Sequence, residues 1–409
     1  MGIAERFPDQ PIYMDHNATT PVLPEVVEAM IPWFASDFGN ASSTTHVYGA
    51  RARDAVARAR GQVAAMIGAQ AGEIIFTSGA TESDNLAIRG VLLAARATGH
   101  SAARPHIITC AIEHEAVLET CEALKTEGCD VTVLPVDHHG LVDLGDVARA
   151  MTPATLLVSI MLANNEIGTL QPVAGIGRLC RERGVLVHTD AVQAAGRIPI
   201  DVQDLRVDLM SLTAHKMHGP KGVGALYVRE GVSLSAILHG SGQENRLRSG
   251  TLNVPGIIGF GCAAQAAMRD IDTEPARQAM LRDQLWRKIR SRIDDVVMNG
   301  HPTLRLPNTL NVAFDGLDSE ALLMLVRDVA ALSSGSACAS GTGKGSYVIR
   351  AINGSDGPQG RARSSVRFGL GRSTRPDDID VVVEAVARAV ERLRVMAPAA
   401  SAARHGKTE

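Results

Sequence analysis

Apolar residues recur along this chain at two spacings. Over 24–36, and again over 50–67, Ala, Val and Met return every three or four positions among polar residues, which predicts amphipathic helices. From residue 72 short apolar runs alternate with helical stretches. GEIIFTSG (72–79) precedes a helix from Thr81, and HIITC (106–110) precedes one near Glu115. VTVLPV, TLLVSIM, VLVHTD and DLMSLTA follow, separated by segments such as IGRLCRERG. Repeated strand–helix alternation predicts an α/β fold with a mostly parallel sheet covered on both faces. The rhythm changes after about residue 254. Helices over 255–270 and 276–294 lead into TLNVAF, a helix over 318–328, a Gly/Ser-rich loop over 333–346, SVRFGL, and a last helix over 377–395. The expected organisation is a large unit (24–268), a smaller α+β unit (1–23 with 269–396) and a flexible tail (397–409).

Composition narrows the classes of function. The 409 residues are 45% hydrophobic and 21% charged with a formal net charge of −3, so neither nucleic acid nor anionic lipid is expected as a direct partner. No run is apolar enough to span a bilayer, and the N-terminal residues contain no apolar signal core. Six scattered cysteines without a CxxC pair read as free thiols in a reducing compartment, so a cytoplasmic protein that holds no metal is expected. Only six of the 41 basic residues are lysines, at 125, 216, 221, 288, 344 and 407, which leaves lysine chemistry few homes.

Four segments carry candidate chemistry. IIFTSGATESDNLAIRG is a strand, a glycine turn and a helix, with the Thr81 hydroxyl at the helix start. Such a turn aims unpaired N–H groups at a phosphate, or is a simple helix cap. In VLVHTDAVQAAG, Asp190 ends a central strand, where ligands of open α/β sheets collect; a helix cap explains it equally well. In SLTAHKMHGPKGVGALYV, Lys216 follows a strand and precedes a tight Gly/Pro turn. A lysine held there could lose its proton by desolvation and serve as a Schiff-base amine, or it could cap carbonyls at the sheet end. Lys221, further along that turn, reads as the blander of the pair. Phosphate turn, carboxylate and lysine together match what pyridoxal phosphate needs. The fourth segment is LSSGSACASG, where Cys338 has no bulky neighbour to bury it and is placed for nucleophilic work. The other cysteines read as small core residues, Cys110 and Cys262 most clearly. GTGKGS (341–346) imitates a phosphate-binding loop, but no G-x-x-x-x-G-K-[ST] frame exists, and a nucleotide site is rejected.

The chain resembles cysteine desulfurases of the NifS/IscS type, class V members of the aminotransferase superfamily. The resemblance rests on YMDHNATTP (13–21), FGNASS (38–43), FTSGATESDNLAI (76–88), EHEAV (113–117), NNEIGTLQP (164–172), HTDAVQ (188–193), TAHKMHGPKGVGALYVR (213–229), RSGTLN (248–253), SSGSACAS (333–340) and SVRFGLGR (365–372). SSGSACAS is similar to the branch with a long cysteine loop. The resemblance implies a fold-type I pyridoxal-phosphate enzyme that converts L-cysteine to L-alanine and leaves a persulfide on Cys338 for an acceptor in iron–sulfur cluster assembly or thiolation. It implies Lys216 as the Schiff-base lysine, Asp190 against the pyridine nitrogen, Gln193 on the ring hydroxyl, and His114 stacked on the ring to assist proton transfer. Ala80, Thr81, Thr213 and His215 would hold the phosphate, with Thr251 completing that cup from the partner of a homodimer. Asn165 and Arg367 would take the substrate carboxylate, with Asn40 nearby. Thr213 stands where relatives usually have Ser. A polar stretch over 353–365 reads as an insertion, and the C-terminus departs from the tail that docks a scaffold protein. Selenocysteine lyase, or another class V enzyme, is the alternative.

Overall fold

The computed structural model describes residues 10–99, 104–335, 345–353 and 360–396. Cys338, Lys344, residues 354–359 of the 353–365 stretch and the 397–409 tail lie outside the described residues. Twelve strands are present among them: β1 (Ile12–Tyr13), β2 (Ile74–Thr77), β3 (His106–Cys110), β4 (Asp130–Leu134), β5 (Thr155–Ser159), β6 (Leu186–Asp190), β7 (Leu209–Thr213), β8 (Gly224–Val228), β9 (Val296–Asn299), β10 (Thr309–Phe314), β11 (Ala330–Ala331) and β12 (Ser365–Gly369).

Seven strands form the main sheet in the order β2-β8-β7-β6-β5-β3-β4. Only β8 runs against its neighbours; the pairs along β7-β6-β5-β3-β4 are parallel. Nearly continuous apolar strands are what a sheet buried on both faces requires, and their side chains divide with a period of two. Ile75, Ile107, Leu157, Leu209 and Leu226 pack with Leu86, Ile88 and Leu92 of the helix Ala80–Ala97 and with Val117 and Leu124 of Glu115–Thr126. Their neighbours Ile74, Phe76, Ile108, Val158, Val187 and Met210 face the opposite core, with residues of Val47–Met66, Val173–Glu182 and Val254–Asp270. A separate core gathers β10 and β12 of the antiparallel sheet β12-β10-β9 against the helices Glu274–Arg292 and Pro376–Met396. Met14 and Ile12 join that core, and β1 pairs in parallel with β11. Among the described residues no helix is long and apolar enough to cross a membrane.

Four local readings change. The helix expected over 24–36 is two, Pro24–Met30 and Pro32–Ala35, because Pro32 has no N–H to continue the first and instead starts the second. The end of the expected insertion is structured: Arg361–Ser364 form a helical turn, and Ser365, fully buried, is the first residue of β12. Cys262 is only half-buried, whereas Cys110, Cys121, Cys129 and Cys180 are buried. VVMN, which follows the helix ending at Arg292, is the strand β9, held by β10.

One ion pair caps the β2 edge of the main sheet. Glu244 and the two residues after it have positive φ. That turn brings the Glu244 carboxylate inside, where it accepts from the Phe76 N–H of β2 at 2.7 Å and from both terminal nitrogens of Arg60 at 2.6 and 2.7 Å. Replacing Glu244 with Ala leaves the edge amide and the guanidinium without that partner. The expected cost is about 3 kcal/mol of stability, the low end for breaking a buried pair, read as a fall in the urea unfolding midpoint.

Candidate active site

The carboxyl ends of β6 and β7, the start of helix Ala80–Ala97 and the N-terminal segment around Asn17 enclose a cavity of about 610 Å³. Ala80, Thr81, His114, Asn165, Asp190, Gln193, Thr213, His215, Lys216 and Arg367 all line it, although they come from distant parts of the chain. Asn40 and Thr251 do not. Asn40 is exposed and caps Ser42 N–H at 2.9 Å, and Thr251 is exposed beyond the Arg248 loop.

Lys216 ends the 3-10 turn Ala214–Lys216 that follows β7. Its Nζ donates to the carbonyls of Asn17 and Ala18, both at 2.6 Å. Burial lowers its pKa to about 7, and the positive charges of Arg197 and Arg367 push the same way, against the weaker pull of Asp15 and Asp190. Arg197 is itself buried and brought down to about 9; it donates to Gln193 Oε1 at 2.5 Å, to the His16 carbonyl at 2.8 Å and to the Lys216 carbonyl at 3.3 Å. Asp190 lies at the end of β6, accepts from Val192 N–H at 2.9 Å, and is raised by burial. His114 begins the helix Glu115–Thr126, and its Nδ1 accepts from Ala116 N–H at 3.1 Å, which places the proton of a neutral ring on Nε2.

The phosphate-type turn is built by close packing. Gly224 of β8 lies so near Gly79 that a Cβ there would come within 2.7 Å of its backbone. That approach sets the first turn of an 18-residue helix, with its free N–H groups, against the cavity. Thr213 Oγ1 donates to Val223 O at 3.1 Å, and His215 Nδ1 shares a proton with Thr19 Oγ1 at 3.1 Å. On the far side, Arg367 Nη2 meets Asp15 Oδ1 at 2.7 Å while Nη1 donates to the Asn165 and Gly335 carbonyls, each at 3.0 Å. Arg367 Nε and Asn165 Oδ1 are buried without a hydrogen-bond partner among the described residues. A depressed lysine, a buried carboxylate in want of a cation and a helix start in want of an anion fit pyridoxal phosphate.

Several of these groups carry no mark in the sequence. Asp15, Asn17 and Glu166 stand inside quoted motifs but had no local feature to distinguish them. Arg197 had no signal at all, being one arginine among many. Tyr347 joins the cavity wall too. So does Lys221, which is therefore not the blander lysine its sequence position suggests: the GPKG turn folds back towards the cavity rather than away from it.

Residues 12–382 match the aminotransferase class-V family. The chain is 50% identical over 390 residues to the cysteine desulfurase IscS of Anaeromyxobacter sp. (strain Fw109-5), covering 95% of this chain and 94% of that one. A solved NifS-like protein superposes with a TM-score of 0.85 at 35% identity, covering 94% of this chain and 100% of the other. A structure described as SspA in complex with cysteine gives 0.77 at 36% identity, covering 88% and 98%. The chain belongs to the aminotransferase class-V family of pyridoxal-phosphate enzymes. Within that class it is a cysteine desulfurase.

A prediction follows from the lysine. Only the neutral amine attacks an aldehyde. Capture of pyridoxal phosphate by cofactor-free protein should therefore accelerate as pH rises through about 7 and level off above it. Stopped-flow absorbance checks this; a rate still climbing towards pH 10 would mean an ordinary lysine.

Proposed function

We propose that the cavity residues divide the desulfurase reaction among them as follows, and that Cys338 accepts the sulfur. The observation that supports this division best is Lys216: a buried amine with a lowered pKa, in one cavity with a buried carboxylate and a helix start. Lys216 holds the cofactor. Asp190 keeps the pyridine nitrogen protonated, Gln193 meets the ring hydroxyl, and Ala80, Thr81, Thr213 and His215 hold the phosphate. The cofactor supplies an electron sink that makes the substrate carbons acidic. Arg367 receives the α-carboxylate with the guanidinium edge at Nε, which has no partner among the described residues, and Asn165 donates to it from its amide Nδ2. Lys216 and the Nε2 side of His114 carry the protons.

The Cys338 thiolate then attacks the sulfur of L-cysteine. A sulfur–sulfur bond forms, the carbon–sulfur bond breaks with its electron pair left on the substrate, and the β-carbon takes a proton to leave as L-alanine. Gly335 lines the cavity only three residues before Cys338. Three extended residues span about 10 Å, so the thiol has the reach to meet substrate there. The persulfide passes to an acceptor protein of iron–sulfur assembly or thiolation, in the cytoplasm. The division into a cofactor-binding unit (24–268) and a smaller unit (1–23 with 269–396) goes with this reading, β12 of the smaller unit supplying Arg367.

We further infer a homodimer. Asn40 and Thr251, which among the described site residues lie outside their own chain's cavity, flank one groove lined by Ala41, Ser42, Gln243 and Leu252. Nearby in sequence, Ile31, Phe34 and Phe38 are each more than half exposed, an apolar surface suited to a second copy. Thr251 then completes the phosphate cup of the partner.

Three outcomes test these assignments. Cys338→Ala should abolish persulfide formation, detected by alkylation and mass spectrometry, while L-cysteine still perturbs the cofactor absorbance; persulfide at the wild-type rate would sink the assignment. Arg367→Lys loses the planar fork, so KM for L-cysteine should rise about tenfold or more in steady-state kinetics. Mixing Lys216→Ala chains with Thr251→Ala chains should restore activity through hybrids that contain one intact site, whereas monomers would show no complementation.

A further inference from the structure

Glu166 is fully buried in the cavity wall, and none of the roles above uses it. Its backbone is locked: the N–H donates to Asn164 Oδ1 at 2.9 Å, and the carbonyl accepts from Asn311 Nδ2 at 3.2 Å. The carboxyl is aimed by that anchorage at two other places in the chain. Oε2 accepts from Ser346 Oγ at 2.5 Å. It also lies so close to Gly335 that a Cβ there would come within 2.6 Å. Gly335 has a φ of 106°, in the region that favours glycine.

Gly335 and Ser346 bracket the stretch that contains Cys338. Each is tied to the fold by more than Glu166. The Gly335 carbonyl accepts from Arg367 Nη1, and Ser333 exchanges backbone bonds with Arg367 at 2.7 and 3.4 Å. Ser346 N–H donates to Ala362 O at 2.9 Å, and its Oγ accepts from Ile349 N–H at 3.0 Å. One carboxyl thus touches both ends of the cysteine stretch, beside the arginine that receives the substrate. A buried acid is a costly way to fill space, and burial pushes this one up to about 7. An apolar residue would serve packing alone.

We propose that Glu166 is a positioning residue for sulfur transfer, holding the two ends of the Cys338 stretch in register with Arg367. Substrate orientation and thiol delivery then share one frame, and a small misplacement of that frame slows thiol attack while leaving the cofactor steps alone. The proposal rests on the reading of Cys338 as sulfur acceptor.

The test uses holoenzyme carrying Glu166→Ala, Glu166→Gln or Ser346→Ala, with two readouts for each. One is the change in cofactor absorbance on adding L-cysteine; the other is persulfide on Cys338 in a single turnover. Glu166→Ala and Ser346→Ala should leave the first within about threefold of wild type and slow the second about tenfold or more. Glu166→Gln keeps an acceptor oxygen for Ser346 and should recover most of the loss. Wild-type persulfide formation in Glu166→Ala would overturn the proposal, as would the two readouts falling together in every variant, the signature of a merely structural residue. If Glu166→Ala does not fold, Ser346→Ala decides by the same criteria. Wild-type holoenzyme that forms no persulfide on Cys338 would instead refute the underlying assignment.

Discussion

An amine enclosed by protein must be paired or give up its charge, and most of this site is arranged around that requirement at Lys216. The turn after β7 brings the lysine inward, where two carbonyls, those of Asn17 and Ala18, accept from it. Among the described residues no carboxylate pairs with it directly, while Arg197 stands behind it and opposes its charge. The outcome is an amine near neutrality at the mouth of a sheet, which is the state a carbonyl chemist would ask for. Because the two carbonyls belong to the N-terminal segment, that segment has to cross the ends of β6 and β7 for the site to exist.

The same crossing joins the two cores. The chain leaves β1, which is paired with β11 beside the antiparallel sheet, and passes through Asp15 to reach Lys216. Asp15 is bound to Arg367 of β12, so the arginine presented by the small sheet is fixed against the lysine presented by the large one. Gly335 is fastened to that arginine as well. In the proposed division of roles, substrate recognition, cofactor attachment and the approach of the sulfur acceptor therefore all depend on a short run of backbone and on the Arg367 guanidinium. Buried charges of this kind contribute little net stability, but they hold groups in one geometry.

Much of this was legible in the order of residues, because strands of a doubly covered sheet are nearly all apolar and helices are not. HIITC is β3 from end to end, Asp190 ends β6, and Lys216 closes the turn that follows β7. What could not be read had no local mark. Arg197 depresses Lys216 from another segment, Lys221 turns back to the cavity, and Glu166 touches Gly335 and Ser346 from some 170 to 180 residues away.

The sequence by itself thus determined the class of fold, the kinds of side chain available for chemistry and the short list of lysines among which a Schiff-base amine had to be sought, since these depend on periodicity and residue type over short stretches. Only the tertiary structure decided which of those side chains share a cavity, which leave it for the outer surface as Asn40 and Thr251 do, and which charges face one another. The reason is physical: desolvation and Coulomb coupling depend on distance in space, and residues from opposite ends of the chain, such as Asp15 and Arg367, become neighbours only when both cores are packed.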